Sequence, residues 1–423
     1  MDFTFNDEQT AVREAAEGIL SGLVDPDRVQ EVEATEDRMD RALWAELAKA
    51  DLLGLAVPVA DGGAGYGMVE LCLLLEAQGR VVAPVPLWAT LVLGALPVAE
   101  FGSDALRTAL LPGVTAGSTI LSAALADVAD DIAVGGPGRP PVSAVVAGDG
   151  GLTVTGTAHA VPFAHVADRV LVPVATTDGT VVAVVDPRAP GVTVERAVTT
   201  NREVHPHLHL DSVAVGPDDV LAGGDAARGD EVLRWMLERA WTGLCALQVG
   251  VTESAVRQTA DYLNTREQFG VPLATFQATK MRVADAAIDT EAIRVTTWQA
   301  AWRLDNGLDA ARATNVAAWF ASESGQRAVF ATQHLHGGMG ADVSYPIHRY
   351  FLWGKQIELL LGSPSAQLAR LGRQVAADLP DTGAGTGADT GAGSGAGTRA
   401  GAGDGEGGRT GNGADANARA VPA

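Results

Sequence analysis

The spacing of hydrophobic residues divides the chain into stretches of different periodicity. In residues 1–118, apolar positions such as Leu43 and Leu47 recur at about one helical turn, which predicts helices. Asn6 precedes two acidic residues and is placed to cap the first of the predicted helices. From 119 to 228 the pattern changes to short runs rich in valine and threonine, which predict an antiparallel sheet: LTVTG, RVLVPVA, TVVAVVD, GVTVERA and HLHLDSVAV.

Helical spacing returns after residue 228 and persists much longer. Leu233, Leu237 and Trp241 begin one long pattern, and two more follow over 275–304 and 308–333. Helices of this length pack as bundles, so residues 229–377 predict a four-helix bundle. The segment 378–423 contains mostly Gly, Ala, Thr and Asp, with little to bury, and predicts a disordered tail. The predicted fold class is α+β with three domains: helical, β and helical.

Composition narrows the function classes. The formal net charge is −22 and no local basic patch is evident, which argues against nucleic acid as a partner. Cys72 and Cys245 lie in apolar helical surroundings, so we expect both in the core rather than in a disulfide or a zinc site. No apolar run reaches the length of a membrane span, and the first residues do not resemble a signal peptide. The expected location is cytoplasmic, without a membrane partner.

Residues suited to binding phosphate groups lie at the ends of the long helices. Arg266, in TREQFG, offers a fixed bidentate cation for a pyrophosphate. In HLHGGMG, Gly337, Gly338 and Gly340 remove side chains where the backbone would approach a ligand closely. A glycine turn of this kind also serves as a plain helix stop. Together with the Phe-Gln pair that ends at Gln277, the pattern favours a nucleotide-binding surface.

Several segments together resemble the acyl-CoA dehydrogenase family over roughly residues 1–373. They are FTFNDEQ, LWAELAKADLLGLAVP, GGAGYG, NTREQFGVPLATFQATKMRVAD and HGGMGADVSYPIHR. The resemblance implies the same three domains, with FAD bound where two subunits meet. It also implies an acyl-CoA thioester substrate, from which a glutamate removes the α proton while the β hydride passes to the flavin.

The resemblance assigns FAD contacts to individual positions. Arg266, Gln268 and Phe269 match the family's pyrophosphate segment, and His334 stands where relatives usually have glutamine. The cofactor-binding residues implied in this way are Arg266, Gln268, Phe269, Gln277, His334, Gly337, Gly338, Gly340 and Ser363.

The family's flavin-ring contacts are poorly represented. In place of a segment of the form Thr/Ser-Glu-Pro-x-x-Gly-Ser, the chain reads AALADVADD and keeps only Asp127 as a counterpart. In place of Trp-Ile-Thr or Trp-Ile-Ser, whose hydroxyl bonds the ring, it has Val161, Pro162 and Phe163.

The family's catalytic glutamate is also missing from its expected place. Counting from the glycine turn puts that glutamate at Leu361, which cannot accept a proton. Some relatives place the base on the preceding long helix, where the count gives Ala240 or Trp241. Glu238 lies about 200° around that helix from Ala240. Glu358 lies one turn before Leu361 and is a possible substitute base, although a capping or ion-paired role suits a lone carboxylate near a helix end.

Histidines offer a separate possibility. His205, His207 and His209 alternate along a predicted strand, so they would share one face and could hold a metal. No carboxylate or cysteine nearby supports that idea, and a solvated face is the simpler interpretation. His159 and His165 are expected at the surface or in the core. We therefore predict no metal.

Three functional hypotheses follow. The first is a base-lacking acyl-CoA dehydrogenase subunit in a dimer or tetramer, whose paralogous partner supplies the glutamate and whose electron acceptor is an electron-transferring flavoprotein. The second is a homo-oligomeric flavoenzyme that uses Glu358. The third is a scaffold that binds an acyl thioester and performs no redox step.

Overall fold

The structure is a computed structural model that describes residues 4–128, 140–148 and 150–378. The amino-terminal region is helical, as predicted. Asn6 Oδ1 accepts the Gln9 N–H at 2.8 Å, and the Gln9 side chain accepts the Asn6 N–H in return, so the predicted cap is confirmed as a capping box. The helices are α1 (Asp7–Leu23), α2 (Pro26–Glu33), α3 (Arg41–Lys49), α4 (Met68–Val81), a π-helical segment (Trp88–Ala95), α5 (Leu96–Phe101) and α6 (Asp104–Thr115).

Helix α4 lies at the centre of the molecule. Its residues from Met68 to Gly79 are all buried, because α1 packs on one side and the long carboxy-terminal helices pack on the other. The amino end of α4 is capped from far away in the sequence. Asp305 accepts the backbone N–H groups of Met68 at 2.6 Å and Val69 at 2.9 Å. The amino-terminal and carboxy-terminal helices therefore share one core.

The middle region is a seven-stranded sheet. Its strands are β1 (Leu121–Ala123), β2 (Ser143–Val146), β3 (Leu152–Ala158), β4 (Arg169–Ala175), β5 (Thr180–Val185), β6 (Val192–Glu195) and β7 (His207–Val215). Their order is β1-β4-β2-β3-β7-β6, with β5 also paired to β4. The five predicted strands are present and pair antiparallel, but β1 and β2 run parallel to β4. These two strands escaped sequence analysis because they are short and lack a period-two pattern.

The carboxy-terminal region contains five helices. They are α7 (Gly229–Thr265), α8 (Gln277–Asp305), α9 (Ala311–Leu335), α10 (Ile347–Leu360) and α11 (Ser363–Asp378), with a small hairpin of β8 (Glu267–Gln268) and β9 (Val271–Pro272) after α7. Helices α7, α8, α9 and α10 pack on one another, and α11 packs against α9. The predicted tail begins at residue 378, where α11 ends, and the rest of it lies outside the described residues.

Buried ion pairs fasten the helical regions together. Arg80 of α4 contacts the carboxylates of Glu76 at 2.5 Å, Glu17 at 2.6 Å and Glu253 at 2.6 Å, and Arg294 also reaches Glu76. Burial raises the pKa of Glu76 in spite of the two arginines. This cluster therefore joins α1, α4, α7 and α8.

Two simpler expectations agree with the structure. Cys72 and Cys245 are free and buried in the core. Within the described part of the chain, no helix is both long enough and apolar enough to cross a membrane.

Candidate active site and nucleotide surface

An apolar cleft of about 210 Å³ lies between α7, the end of α10 and the segments that follow β1 and β3. Among the described residues that line it, none has an ionisable side chain near neutral pH, and Gln356 is the only one with a side-chain amide. The lining consists of Trp88, Leu93, Ala123, Leu125, Ala126, Ala160, Pro162, Leu237, Ala240, Trp241, Leu244, Gln356, Leu359 and Leu360.

One of the two predicted base positions lines this cleft, and the other lies next to its lining. Ala240 and Trp241 line it directly, and Leu361 follows two lining residues at the end of α10, with 0% of its surface exposed. The Leu361 N–H donates to the Ile357 carbonyl at 2.9 Å, so the backbone there is an ordinary helix end. At both positions where a carboxylate was expected, the chain therefore presents apolar side chains.

Neither alternative carboxylate faces the cleft lining. Glu358 accepts a hydrogen bond from Lys355 at 2.7 Å, which is the ion-paired role weighed against catalysis above. Burial raises the pKa of Glu238, with Arg239 and Arg234 opposing the shift, but this side chain is absent from the cleft wall. Its position agrees with the angular separation from Ala240 expected on a helix.

The middle-domain segments reach the cleft through small and apolar groups. Leu125, Ala126, Ala160 and Pro162 line it. Asp127, the counterpart suggested for the family's ring-contacting segment, instead accepts the backbone N–H of His159 at 2.9 Å and lies 2.9 Å from that residue's Nδ1. Asp127 thereby links the two segments at the mouth of the cleft.

Trp88 and Trp241 are held by specific contacts. The Trp88 indole N–H donates to the Ala240 carbonyl at 2.9 Å, which fixes the π-helical segment against α7. The buried guanidinium of Arg370 lies 4.1 Å from the centre of the Trp241 ring, as a cation–π contact. Neither contact is apparent from the sequence, because the partners are far apart in the chain.

The predicted pyrophosphate segment lies on the outer surface. Arg266, Gln268 and Gln277 are exposed, and Phe269 at the tip of the β8–β9 hairpin is 94% exposed. Phe269 has a left-handed backbone with φ of 56° and its ring meets Phe276 edge to face at 6.2 Å. The hairpin therefore presents a cation, amides and an aromatic ring away from the core of its own chain.

The glycine turn is open at two of its three predicted glycines. A Cβ atom on Gly337 or Gly338 would meet nothing within 4 Å, whereas one on Gly340 would lie 2.5 Å from the Gln333 carbonyl oxygen. The space at Gly340 is thus taken by the chain itself, and only Gly337 and Gly338 leave room outside. Beneath the turn, buried His336 stacks on Tyr262 with ring centres 4.5 Å apart.

His334 and Ser363 lie in different surroundings. His334 is exposed and stacks on Phe330 at 6.5 Å. Ser363 is partly buried at the start of α11, where its φ of 73° follows another left-handed residue, Gly362.

The three alternating histidines do not share a face. His205 is only 1% exposed and lies 3.2 Å from the Glu203 carboxylate, so the solvated face expected for it was wrong. His207 Nδ1 accepts the Ala160 N–H at 3.1 Å, and His209 contacts the Glu195 carboxylate at 2.7 Å. Strand β7 begins only at His207, which explains why His205 departs from the alternation. Over the described residues, no set of three ligating side chains could hold a metal.

An exposed apolar stripe runs along α8 on the outside of the bundle. Met281, Ile288 and Val295 follow one another at seven-residue intervals and are all exposed. A groove of about 550 Å³ beside this stripe includes Ile288 and, from α9, exposed Phe330.

Comparison with known proteins agrees with this architecture. The three-part fold, with its sheet between two helical regions, is the acyl-CoA dehydrogenase fold. Residues 6–118 match the acyl-CoA dehydrogenase N-terminal domain, and residues 227–376 match the C-terminal domain of the same family. The chain belongs to the acyl-CoA dehydrogenase family, which supports FAD as its cofactor and an oxidoreductase activity.

The chain matches individual relatives over nearly their whole length. The acyl-CoA dehydrogenase FadE27 of Mycobacterium tuberculosis is 36% identical over 387 residues, covering 89% of this chain and 99% of the relative. A Tcur3481–Tcur3483 steroid ACAD variant has 46% identity and a TM-score of 0.80, covering 88% of this chain and 98% of that one. The ChsE4–ChsE5 complex from Mycobacterium tuberculosis has 35% identity and a TM-score of 0.83, covering 90% and 100%.

Proposed function

We propose that this chain is the base-lacking subunit of a heteromeric acyl-CoA dehydrogenase, which oxidises the Cα–Cβ bond of an acyl-CoA thioester with FAD. The observation that carries the proposal is the apolar cleft lined by Ala240 and Trp241 and flanked by Leu361, because none of the described residues that line it has a side chain able to remove a proton. The paralogous partner would supply the glutamate, and an electron-transferring flavoprotein would accept the electrons.

The distribution of polar groups supports a cross-subunit role. Arg266, Gln268 and the open turn at Gly337 and Gly338 face outward, where a second chain can bring a nucleotide against them. Arg266 would pair with the pyrophosphate, and the open glycines would admit the cofactor's ADP half. FAD, when bound, supplies the hydride acceptor. The exposed stripe of Met281, Ile288 and Val295 provides the apolar area that a permanent partner needs.

Similarity to paired subunits favours the same assembly. Two of the solved structures that resemble this chain are named as pairs, Tcur3481–Tcur3483 and ChsE4–ChsE5. The first is named as a steroid ACAD, which makes a bulky polycyclic acyl group a reasonable member of a substrate panel. The Lys355 ion pair of Glu358 gives the homo-oligomeric alternative less support.

Co-purification with a paralogue tests the proposal directly. The chain would be prepared alone and together with a paralogous chain that carries glutamate at either base position. We expect the lone chain to be nearly colourless and inactive, and the pair to hold FAD and to reduce it when an acyl thioester is added. A yellow, active preparation of the lone chain would overturn the proposal, and a colourless pair would favour the non-redox scaffold.

A further inference from the structure

A small enclosed chamber of about 30 Å³ lies directly behind the apolar cleft. The two cavities have five lining residues in common, so they adjoin each other. The shared residues are Trp88, Pro162, Leu244, Gln356 and Leu360. We call the smaller space the polar chamber.

The polar chamber concentrates hydrogen-bonding side chains inside an otherwise apolar region. Gln78, Asn201, Glu203, His205 and Gln356 all line it, and all five are buried. They come from three separate parts of the chain: α4, the segment before β7, and α10. Buried polar groups are normally fully hydrogen-bonded, so any that are not point to a missing partner.

Two buried atoms among these side chains have no partner within the described residues, and both are acceptors. Gln78 Nε2 donates to the carbonyls of Ala83 at 3.0 Å and Val85 at 2.8 Å, which leaves Gln78 Oε1 unpaired. His205 Nε2 lies 3.2 Å from the Glu203 carboxylate and donates to it, so in the neutral imidazole Nδ1 is an acceptor without a partner among the described residues.

Gln356 adds a hydrogen-bond donor to the two unpaired acceptors of the polar chamber. Its Oε1 accepts the Thr200 N–H at 3.3 Å, so its Nε2 is the end of the amide left to donate. Because Gln356 lines both cavities, it stands where a group entering from the apolar cleft would meet the chamber. One donor and two acceptors around a small space match a hydroxyl group, which donates one hydrogen bond and accepts others.

We propose that the apolar cleft and the polar chamber form one binding site for an acyl thioester whose apolar acyl group carries a hydroxyl. The hydroxyl donates to His205 Nδ1 or Gln78 Oε1 and accepts from Gln356. An ammonium group would also donate, but it would have to cross the apolar wall with its charge, which is costly. The inference rests on the thioester class of the proposed function and not on the heteromer.

The role argued here is binding, since the described residues of the cleft lining supply no acid or base. At about 210 Å³ the cleft exceeds the roughly 150 Å³ cavity that is known to admit benzene. A compact acyl chain therefore fits the cleft, with the chamber reserved for its oxygen.

Matched thioesters test the inference. Hexanoyl-, octanoyl- and decanoyl-CoA would each be compared with the corresponding ω-hydroxyacyl-CoA, using the full-length chain. Isothermal titration would give Kd, and the fluorescence of Trp88 and Trp241 would report occupation of the cleft. We expect at least one hydroxylated probe to bind about tenfold more tightly than its parent, as one well-placed buried hydrogen-bond set allows.

The variant His205→Phe tests the contribution of the chamber. It keeps a ring of similar size but has no Nδ1 acceptor, so the ratio of the Kd of the parent acyl-CoA to the Kd of the hydroxylated probe should fall toward one. Equal binding of hydroxylated and parent probes by the unmodified chain would overturn the inference and leave the chamber as a site for water. Failure of every probe to bind would overturn it too. Flavin content of the co-purified pair, measured separately, shows whether the proposed function fails as well.

Discussion

Gly79 of α4 and Gly250 of α7 bring the backbones of these two helices into direct contact. A Cβ on Gly250 would lie 2.0 Å from the Glu76 carbonyl oxygen, and one on Gly79 would lie 2.2 Å from that of Leu247. No side chain fits such a space without moving the helices. This contact fixes α7, which carries Ala240 and Trp241 to the cleft, against the amino-terminal helices.

The variant Gly250→Ala should therefore destabilise the chain. The added methyl group must push α4 away from α7, and overpacking of this kind costs about 1–3 kcal/mol of unfolding free energy. Gly18→Ala is the matched control, since Gly18 lies within α1 with nothing within 4 Å of its Cβ direction. It should stabilise by about 0.5–1 kcal/mol through helix propensity alone. Urea unfolding checks both, and a neutral Gly250→Ala would contradict the close contact.

Replacing Arg266 tests the nucleotide surface. In the co-purified pair, Arg266→Ala should lower FAD retention, because the pyrophosphate loses a bidentate cation. Arg257→Ala is a suitable control, since Arg257 is also exposed but lies nine residues earlier, about 13 Å along the axis of α7. Bound flavin per protomer after gel filtration gives the measurement. Equal retention in both variants would exclude a cofactor role for Arg266.

Restoring a carboxylate at the family's usual position should not restore a good enzyme. Leu361→Glu adds the base, but the ring-contacting hydroxyl is still missing where Pro162 and Phe163 stand. We expect little or no flavin reduction when thioester is added anaerobically to the variant without its partner. Robust turnover would show that the missing base was the chain's only deficiency.

The folding stability of Leu361→Glu should depend on pH. Leu361 is fully buried, so desolvation would raise the pKa of a glutamate placed there. A raised carboxyl pKa favours the neutral folded form, so the stability of Leu361→Glu should fall as pH rises through that pKa. Leu361→Gln has a similar size but no proton to lose, and its stability should stay level across the same range. Thermal unfolding between pH 5 and 8 compares them.

The ionised carboxylate of Asp40 should stabilise the folded chain, and this stabilisation should be lost at acid pH. Burial acts to raise the pKa of this carboxyl, but hydrogen bonds from Arg28 and from the Leu43 N–H outweigh burial and lower it. The contribution is present above the unfolded pKa, near 4, and is lost as pH falls through the folded value. Asp40→Asn keeps a helix cap and removes the charge, so it should cost about 1 kcal/mol at pH 7, since Arg28 is partly exposed. The two proteins should converge below pH 3.

Local signals explain what could be predicted from the sequence. The Asn6 capping box and strands β3 to β7 depend on residues a few positions apart, and each is visible as a short pattern. The base positions were also accessible, because counting along α7 and α10 from glycine landmarks places Ala240 and Leu361 without any three-dimensional information.

Contacts between distant segments explain what could not be predicted. The polar chamber joins Gln78, Glu203 and Gln356 from three regions, and no single segment shows a pattern that relates them. The sequence placed His205 on a common face with His207 and His209 instead, and the position of His205 before β7 gave it different surroundings. Likewise, the stacking of Arg370 on Trp241 depends on how α11 folds back over the bundle.

The distant cap on α4 has a consequence for synthesis of the chain. Met68 receives its hydrogen-bond partner from Asp305, 237 residues later, so a ribosome must make most of the protein before this helix can be completed. Until then, the leucine-rich segment that follows Met68 has neither its cap nor the surfaces of α7 and α8 to cover it. The growing polypeptide thus exposes an aggregation-prone apolar segment for most of its translation, which is the kind of segment that chaperones protect.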